Sequence, residues 1–413
     1  MLTPEEIDGL IETMQPFIDE LNDFITTDII KRLMARIKHG DPFKLSQSDI
    51  WQIELLRETN AHFTVVQQKI KTWTGKADRE IAAIFEDAGI IAWDADRKIY
   101  EAQGKKVLPI NKLPRMVQIM QDTMQRTYGT FHNFTRTTAH SSQQRFIRLL
   151  DEAHMKTVTG ATSYQEAVRQ AVDELCKTQL VVTYGDAPNG QFVHHKDTIE
   201  TAVLRAVRTG TVQSCGNISL QGMIDNEYDI IQVSGHLGAR YGDGGYNPGN
   251  HFWWQAKLYS RTGKTPNLPN FDVCGYGSGE GLCGWNCRHS FGPGTLGFNP
   301  YEGFDSEENK KAYDLSQKQR ALERKIRRDK ADIVGRETAL KNCPASEKDK
   351  YQADYDKSVA LLKKHMKAYN DFCKTNNLKK QYDRLENAKY TRLMRNSKPV
   401  NGGSRGADVN LYP

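Results

Sequence analysis

Apolar side chains recur every three or four positions through the first 158 residues, which is the spacing of one face of an α-helix. The stripes are formed by Ile7, Leu10, Ile11 and Met14, by Ile29, Ile30, Leu33 and Ile37, by Ile50, Ile53, Leu55 and Leu56, by Ile81, Ile84, Phe85 and Ala88, and by Phe146, Leu149, Leu150 and Ala153. Helix ends are expected at the HGDP sequence of 39–42 and at Gly89, and helix starts at the SQSD sequence of 46–49 and at Pro114. The pattern predicts a helical docking module over residues 1–158.

The pattern changes between residues 159 and 303, where short apolar runs alternate with glycine-rich loops. The SYQE sequence at 163–166 is a capping box that predicts a helix start. Residues 198–222 predict a second helix, interrupted or bent near Gly210. Strands are predicted at 180–184, 191–194 and 228–233. We therefore expect a loop-rich α+β domain, rich in Cys, His and Gly, over residues 159–303.

Two further apolar stripes with heptad-like spacing follow in the last quarter of the chain. They are formed by Leu315, Leu322, Ile326 and Ile333, and by Tyr351, Tyr355, Val359, Leu362, Met366 and Tyr369. The Cys343–Pro344 step separates them, so residues 304–396 are predicted to form an antiparallel helical hairpin. Residues 397–413 carry no core pattern and are expected to be an extended tail. The fold class predicted for the whole chain is α+β and predominantly helical.

Composition narrows the class of protein. Of the 413 residues, 38% are apolar, which is enough to build cores and excludes a collagen-like or wholly disordered chain. No run of about 18 apolar residues exists, so we expect no membrane as a partner, and the acidic start of the chain is unlike a secretory signal. The seven cysteines all follow residue 175. This odd and clustered set indicates a reducing cytoplasm rather than a disulfide scaffold.

Charge is distributed unevenly. The net charge is +6, but residues 306–395 contain 24 Lys and Arg against 14 Asp and Glu, whereas residues 1–305 contain 31 against 36. Such a basic region favours DNA or an acidic protein as partner, although a merely solvated helix surface fits as well. The residues expected to make such contacts are Arg320, Arg324, Lys325, Arg327, Arg328 and Lys330.

The densest group of chemically versatile side chains lies between residues 236 and 289. It comprises His236, Arg240, His251, Cys274, Cys283, Cys287, Arg288 and His289. Three interpretations remain open: a structural zinc site, a catalytic site of nuclease type, and a core of buried hydrogen bonds that also includes Asn286. For zinc, the ligands would be Cys274, Cys283, Cys287 and His289, although the paired C-x2-C spacing of strong zinc motifs is missing.

In the catalytic interpretation, His236 and His251 would act as general base and acid, and Arg240 would bind a phosphate. Trp253 and Trp254 could stack on bases, or one of them could fill a small core. Apart from the zinc alternative, no cofactor is expected.

Four blocks of sequence resemble one family in the order in which they occur. They are VSGHLGAR at 233–240, WQAKLYS at 254–260, CGYGSGEGLCGWNCRHS at 274–290 and QKQRALERKIRRDK at 317–330. Together they resemble the phage minor capsid protein 2 family, which is similar to the Mu F-like head morphogenesis proteins. The chain departs from the family pattern at Tyr241, where Pro is usual, at Ala256, where Gly is usual, and in a longer insert before His251. Asn286, Cys287, Arg288 and His289 match the family pattern. The resemblance implies a structural motif made of His236, Arg240, His251, Trp254, Asn286, Cys287, Arg288 and His289.

The resemblance implies a low-copy structural component of the virion, associated with the portal and assembled in the host cytoplasm. It implies the portal protein and other capsid or head proteins as partners, and no established catalytic role. The basic hairpin adds packaged DNA as a further candidate partner. The alternatives are a virion-carried enzyme, such as a nuclease or toxin-like activity in residues 228–290, and a DNA-binding protein.

Overall fold

The computed structural model of the chain describes residues 1–38, 48–186, 193–301 and 303–396. Its helices are α1 (Pro4–Glu12), α2 (Gln15–Lys38), α3 (Ser48–Ala102), α4 (Pro114–Val158), α5 (Tyr164–Lys177), α6 (Ile199–Asp225), α7 (His251–Trp254), α8 (Ser306–Asn342), α9 (Lys348–Thr375) and α10 (Ala388–Asn396). Its strands are β1 (Val181–Asp186), β2 (Val193–Thr198), β3 (Ile230–Val233), β4 (Leu258–Ser260) and β5 (Phe291–Pro293). The predicted fold class, α+β and predominantly helical, is confirmed.

Over residues 1–38 and 48–158 the chain is mainly helical, as predicted, and the longest helices there are α3 and α4, which pack against each other. Pro114 occupies the first turn of α4, as expected. The expected end at Gly89 is wrong, because α3 continues through it to Ala102. A Cβ atom added at Gly89 would lie 3.2 Å from the sulfur of Met120. This glycine therefore serves close packing of α3 on α4 rather than helix termination. The expected stop at 39–42 lies outside the described residues.

Helix α6 lies against both α3 and α4 and is buried along most of its length. The expected interruption near Gly210 is wrong, since the helix is continuous through that residue. A Cβ atom at Gly210 would lie 2.1 Å from the hydroxyl oxygen of Thr127 in α4. The glycine is explained by close approach of two helices, which a sequence pattern cannot distinguish from a helix break.

Two small antiparallel sheets accompany the helices. Strands β1 and β2 pair with Val181 opposite Thr198, and the turn predicted between them lies outside the described residues. The second sheet has the order β4-β3-β5, with Ile231 opposite both Tyr259 and Pro293. Its β5 edge contacts α3 and α6, so the loops of the central region are held against the N-terminal helices.

Helices α8 and α9 form the predicted hairpin, separated by the Cys343–Pro344 step. Ile326 and Ile333 of α8 pack with Leu362, Met366 and Tyr369 of α9 in a hydrophobic cluster of their own. A larger cluster extends from Leu2 to Tyr351 and takes side chains from each of the three predicted modules. Within the described ranges, no helix combines the length and apolar character that crossing a membrane requires.

Asp8 of α1 is an ionic connection between distant parts of the chain. Its carboxylate lies 3.0 Å from a guanidinium nitrogen of Arg208 in α6, and 3.1 Å from those of Arg288 and of Arg320 in α8. Arg384, in the segment that follows α9, approaches it to 3.2 Å. The Asp8 side chain is 8% exposed. A single buried carboxylate thus holds the N-terminal helix, the central region and the hairpin together.

Candidate functional site

Three of the motif side chains converge in the interior of the central region. His251 begins the short helix α7, which Asn250 caps by accepting a hydrogen bond from the Trp253 amide at 3.2 Å. Cys287 and His289 lie at the end of the loop that leads into β5. All three are at most 2% exposed. One nitrogen or sulfur atom from each side chain lies within 4.8 Å of those from the other two.

Hydrogen bonds to main-chain and amide oxygens orient the two histidine rings. Nε2 of His251 lies 2.8 Å from the carbonyl oxygen of Glu280. Nε2 of His289 lies 3.0 Å from Oε1 of Gln255, and the same oxygen accepts the main-chain N–H of His236 at 3.0 Å. On the other side of its ring, Nδ1 of His289 lies 3.7 Å from the sulfur of Cys287. We refer to His251, Cys287 and His289 as the histidine–cysteine cluster. Both of its imidazoles are fixed in orientation by groups outside it.

Aromatic packing encloses the cluster. The ring of Trp254, which is fully buried, lies 4.6 Å from that of His251 and 4.8 Å from that of His289, measured between centroids. Its indole N–H donates to the carbonyl oxygen of Pro248 at 3.0 Å. The ring of His236 stacks on His289 with centroids 4.5 Å apart. Of the two tryptophans considered for base stacking, Trp254 thus belongs to the core.

Burial dominates the electrostatics of the cluster. Loss of hydration lowers the pKa of His251 to about 4 and holds the pKa of His289 well below its usual range. The same effect raises the pKa of the thiols of Cys283 and Cys287. At neutral pH the rings are therefore uncharged and the sulfurs are protonated. A nucleophilic cysteine needs the opposite arrangement, in which the thiolate is stabilised and exposed to substrate.

The remaining motif residues have structural contacts of their own. Arg240 donates to the carbonyl oxygen of Trp285 at 2.6 Å, and Arg288 pairs with Asp8. Both guanidinium groups are therefore engaged by groups of the protein itself. Asn286 departs from the expected buried hydrogen-bonding role, because it is exposed and has a backbone φ of 55°. Asparagine tolerates this left-handed conformation better than most residues, so Asn286 shapes the turn.

The set of metal-ligating side chains also differs from the expected one. Cys287 and His289 come together as proposed, but the third member is His251. Cys283 is near, with its sulfur 3.7 Å from the carbonyl oxygen of His289. Cys274 is buried but does not belong to this group. Spacing along the chain did not favour His251, because 35 residues and several turns separate it from Cys287.

The six basic residues of α8 divide into two groups. Arg327 and Lys330 are buried and bonded internally, Arg327 to Glu200 and Lys330 to the carbonyl oxygen of Leu385. Arg320 pairs with Asp8. The expectation that Arg327 and Lys330 contact an external partner is therefore corrected, since α2, α5 and α10 pack on α8 besides α9, whereas the Arg320 side chain remains 25% exposed. Those left exposed are Arg324, Lys325 and Arg328.

Two comparisons relate the chain to structural proteins of phages. A family model described as Phage minor capsid protein 2 matches residues 2–371. A curated relative described as "Structural protein", from Lactococcus phage LL-H, is 22% identical over 382 residues, which cover 86% of this chain and 93% of the relative. No solved structure matches significantly.

Proposed function

The chain belongs to the Phage minor capsid protein 2 family, and we propose that it is a low-copy head component that binds the portal during assembly in the host cytoplasm. As a structural phage protein of this family, it has other capsid or head proteins as partners. The observation that carries the proposal is the family match, which extends over nearly the whole chain and includes the N-terminal helices. A role in DNA packaging is proposed only as a consequence of binding to the portal.

The buried cluster supports a structural role in preference to catalysis. A virion-carried nuclease would need its acid, base and cation open to a phosphodiester. Instead, His251 is 2% exposed and His289 is 1% exposed, while Arg240 is engaged by a carbonyl oxygen. We therefore propose that the protein acts by binding, and that the motif residues stabilise the loops of the central region.

We assign the main portal contact to residues 1–158. Helices α3 and α4 span 55 and 45 residues, and they present large apolar side chains to solvent. Leu56 is 55% exposed and Met155 is 57% exposed. We propose these exposed apolar side chains as the portal-docking positions of the two helices.

Photo-crosslinking tests this assignment on the full-length chain. A photoreactive amino acid at Leu56, Ile91 or Met155 is expected to give a covalent product with the portal in assembling heads. Matched exposed positions elsewhere are Phe298 in the central region and Leu361 in α9. These controls should give little portal product. Dominant crosslinking to the portal from Phe298 or Leu361 would place the contact outside the N-terminal helices.

The exposed basic residues of α8 form a second proposed contact surface. Lys325 and Arg328 line a cleft of about 500 Å³ beside Asp173, Asp332 and Asp354. A continuous phosphate track would be weakened by these carboxylates, whereas mixed charges are usual in protein interfaces. We therefore propose an acidic face of another head protein as the partner of this surface, ahead of packaged DNA.

The triple substitution Arg324→Gln, Lys325→Gln and Arg328→Gln is expected to weaken the binding of the purified chain to the purified acidic head protein. Its fold should remain intact, because all three side chains are exposed. The matched control replaces Lys363, Lys364 and Lys367 of α9, which are also exposed and equally spaced, and should bind normally. If DNA is the partner instead, the logarithm of the wild-type binding constant should fall with the logarithm of the salt concentration with a slope of about −3, for three phosphate contacts. This slope should become shallower in the α8 triple variant and remain unchanged in the α9 control.

A further inference from the structure

The side chains of His251, Cys287 and His289 have the composition of a metal site. Two imidazoles and one thiol, provided by different segments of the chain, converge within 4.8 Å of one another. Nitrogen and sulfur are the donors that zinc prefers in proteins. We propose that these three residues bind one divalent cation of the zinc class, which joins α7 to the loop before β5.

The orientation of His289 follows from its neighbours. The main-chain N–H of His236 can only donate, so the Gln255 atom that meets it at 3.0 Å is an acceptor oxygen. Because the same oxygen lies 3.0 Å from Nε2 of His289, that nitrogen carries the ring proton. The lone pair is therefore on Nδ1, which faces the sulfur of Cys287.

The same reasoning applies to His251. The carbonyl oxygen of Glu280 accepts at 2.8 Å, so Nε2 of His251 carries the proton and Nδ1 carries the lone pair. A metal-binding histidine usually donates its second N–H to a carbonyl or carboxylate oxygen, which fixes the ring and its tautomer. Both histidines have this arrangement, and the oxygens that provide it come from outside the cluster.

The distances are close to those of a tetrahedral site. Zinc bonds of about 2.3 Å to sulfur and about 2.0 Å to nitrogen separate neighbouring ligand atoms by roughly 3.3–3.6 Å. Nδ1 of His289 lies 3.7 Å from the sulfur of Cys287. One nitrogen or sulfur atom from each of the three side chains lies within 4.8 Å of the other two, which is about 1 Å more than a closed tetrahedral site requires.

Two candidates exist for the fourth ligand. Cys283 is fully buried, and its sulfur lies 3.7 Å from the carbonyl oxygen of His289, which the sulfur of Cys287 approaches to 3.9 Å. A second thiolate would cancel the charge of the cation. A water molecule is the alternative, and the number of thiolates bound to the metal distinguishes the two arrangements.

Metal analysis of the full-length wild-type protein is the first test. Protein produced with zinc in the medium and dialysed against metal-free buffer is expected to retain about one zinc per chain. X-ray absorption at the zinc edge should show sulfur at about 2.3 Å and nitrogen at about 2.0 Å. One sulfur indicates water as the fourth ligand, and two indicate Cys283. A folded wild-type protein that retains no zinc would overturn the proposal.

Cobalt substitution identifies the thiolate. After zinc removal, added Co²⁺ should produce thiolate-to-cobalt charge-transfer absorption in the near ultraviolet. Cys287→Ala is expected to abolish this absorption if water is the fourth ligand, and to reduce it by about half if Cys283 is. Cys215→Ala, which removes another buried thiol from outside the cluster, should leave it unchanged. Unchanged absorption in a folded Cys287→Ala protein, or oxygen-only coordination in the wild type, contradicts the assignment. The wild-type X-ray measurement decides the question if the variant fails to fold.

Discussion

Replacing Asp8 by Asn is expected to lower the free energy of unfolding by about 3 kcal/mol. Removing one partner of a buried ion pair leaves the other charge without compensation, which costs about 3–5 kcal/mol. The lower end applies here because Arg288, Arg320 and Arg384 retain 20–25% exposure and can recover some hydration. Urea unfolding followed by circular dichroism measures the change.

Glu5→Gln is the matched control for Asp8→Asn. Glu5 is in the same helix, also within its first turns, but it is exposed. Its substitution removes the same charge and should change stability by no more than about 0.5 kcal/mol. Equal and small effects of the two substitutions would show that the four arginines do not depend on Asp8.

Replacing Trp254 by Ala should cost about 3–5 kcal/mol, the usual loss for truncating a large buried aromatic side chain. The indole is fully buried, donates to the carbonyl oxygen of Pro248, and packs on His251 and His289. The substitution therefore removes a large buried apolar side chain and the ring that packs against the two histidines of the histidine–cysteine cluster. Thermal unfolding and urea unfolding measure the loss, and both transition midpoints are expected to be lower than in the wild type.

Trp285→Ala provides the comparison for Trp254→Ala. Trp285 lies in the same region but is 48% exposed, so its truncation should cost about 1 kcal/mol or less. If both tryptophan variants unfold at the same midpoint, the central region does not depend on a core around Trp254.

Local patterns in the sequence were sufficient for most of the secondary structure. The stripe at Phe146, Leu149, Leu150 and Ala153 is buried in α4, and the hairpin formed as its two stripes predicted. The cap at Ser163 also begins α5, with its hydroxyl accepting the Glu166 amide at 3.2 Å. These predictions succeed because helical periodicity and capping depend on residues only a few positions apart.

Glycine shows where local reasoning fails. Gly89 and Gly210 were expected to end or bend helices, yet both are inside continuous helices and allow close contact with α4. A single glycine has the same appearance in the sequence whether it breaks a helix or accommodates a neighbour. Only the position of the neighbouring helix decides between the two.

The candidate site required both kinds of information. Residue patterns along the chain were enough to recognise the family resemblance, the helical character and the importance of the segment ending in Cys287 and His289. Tertiary structure alone decided that His251 joins these two residues and that Arg327 and Lys330 are internal. The physical reason is that metal ligation and ion pairing depend on distances of a few ångströms between segments far apart in the chain, and such distances follow from packing rather than from spacing.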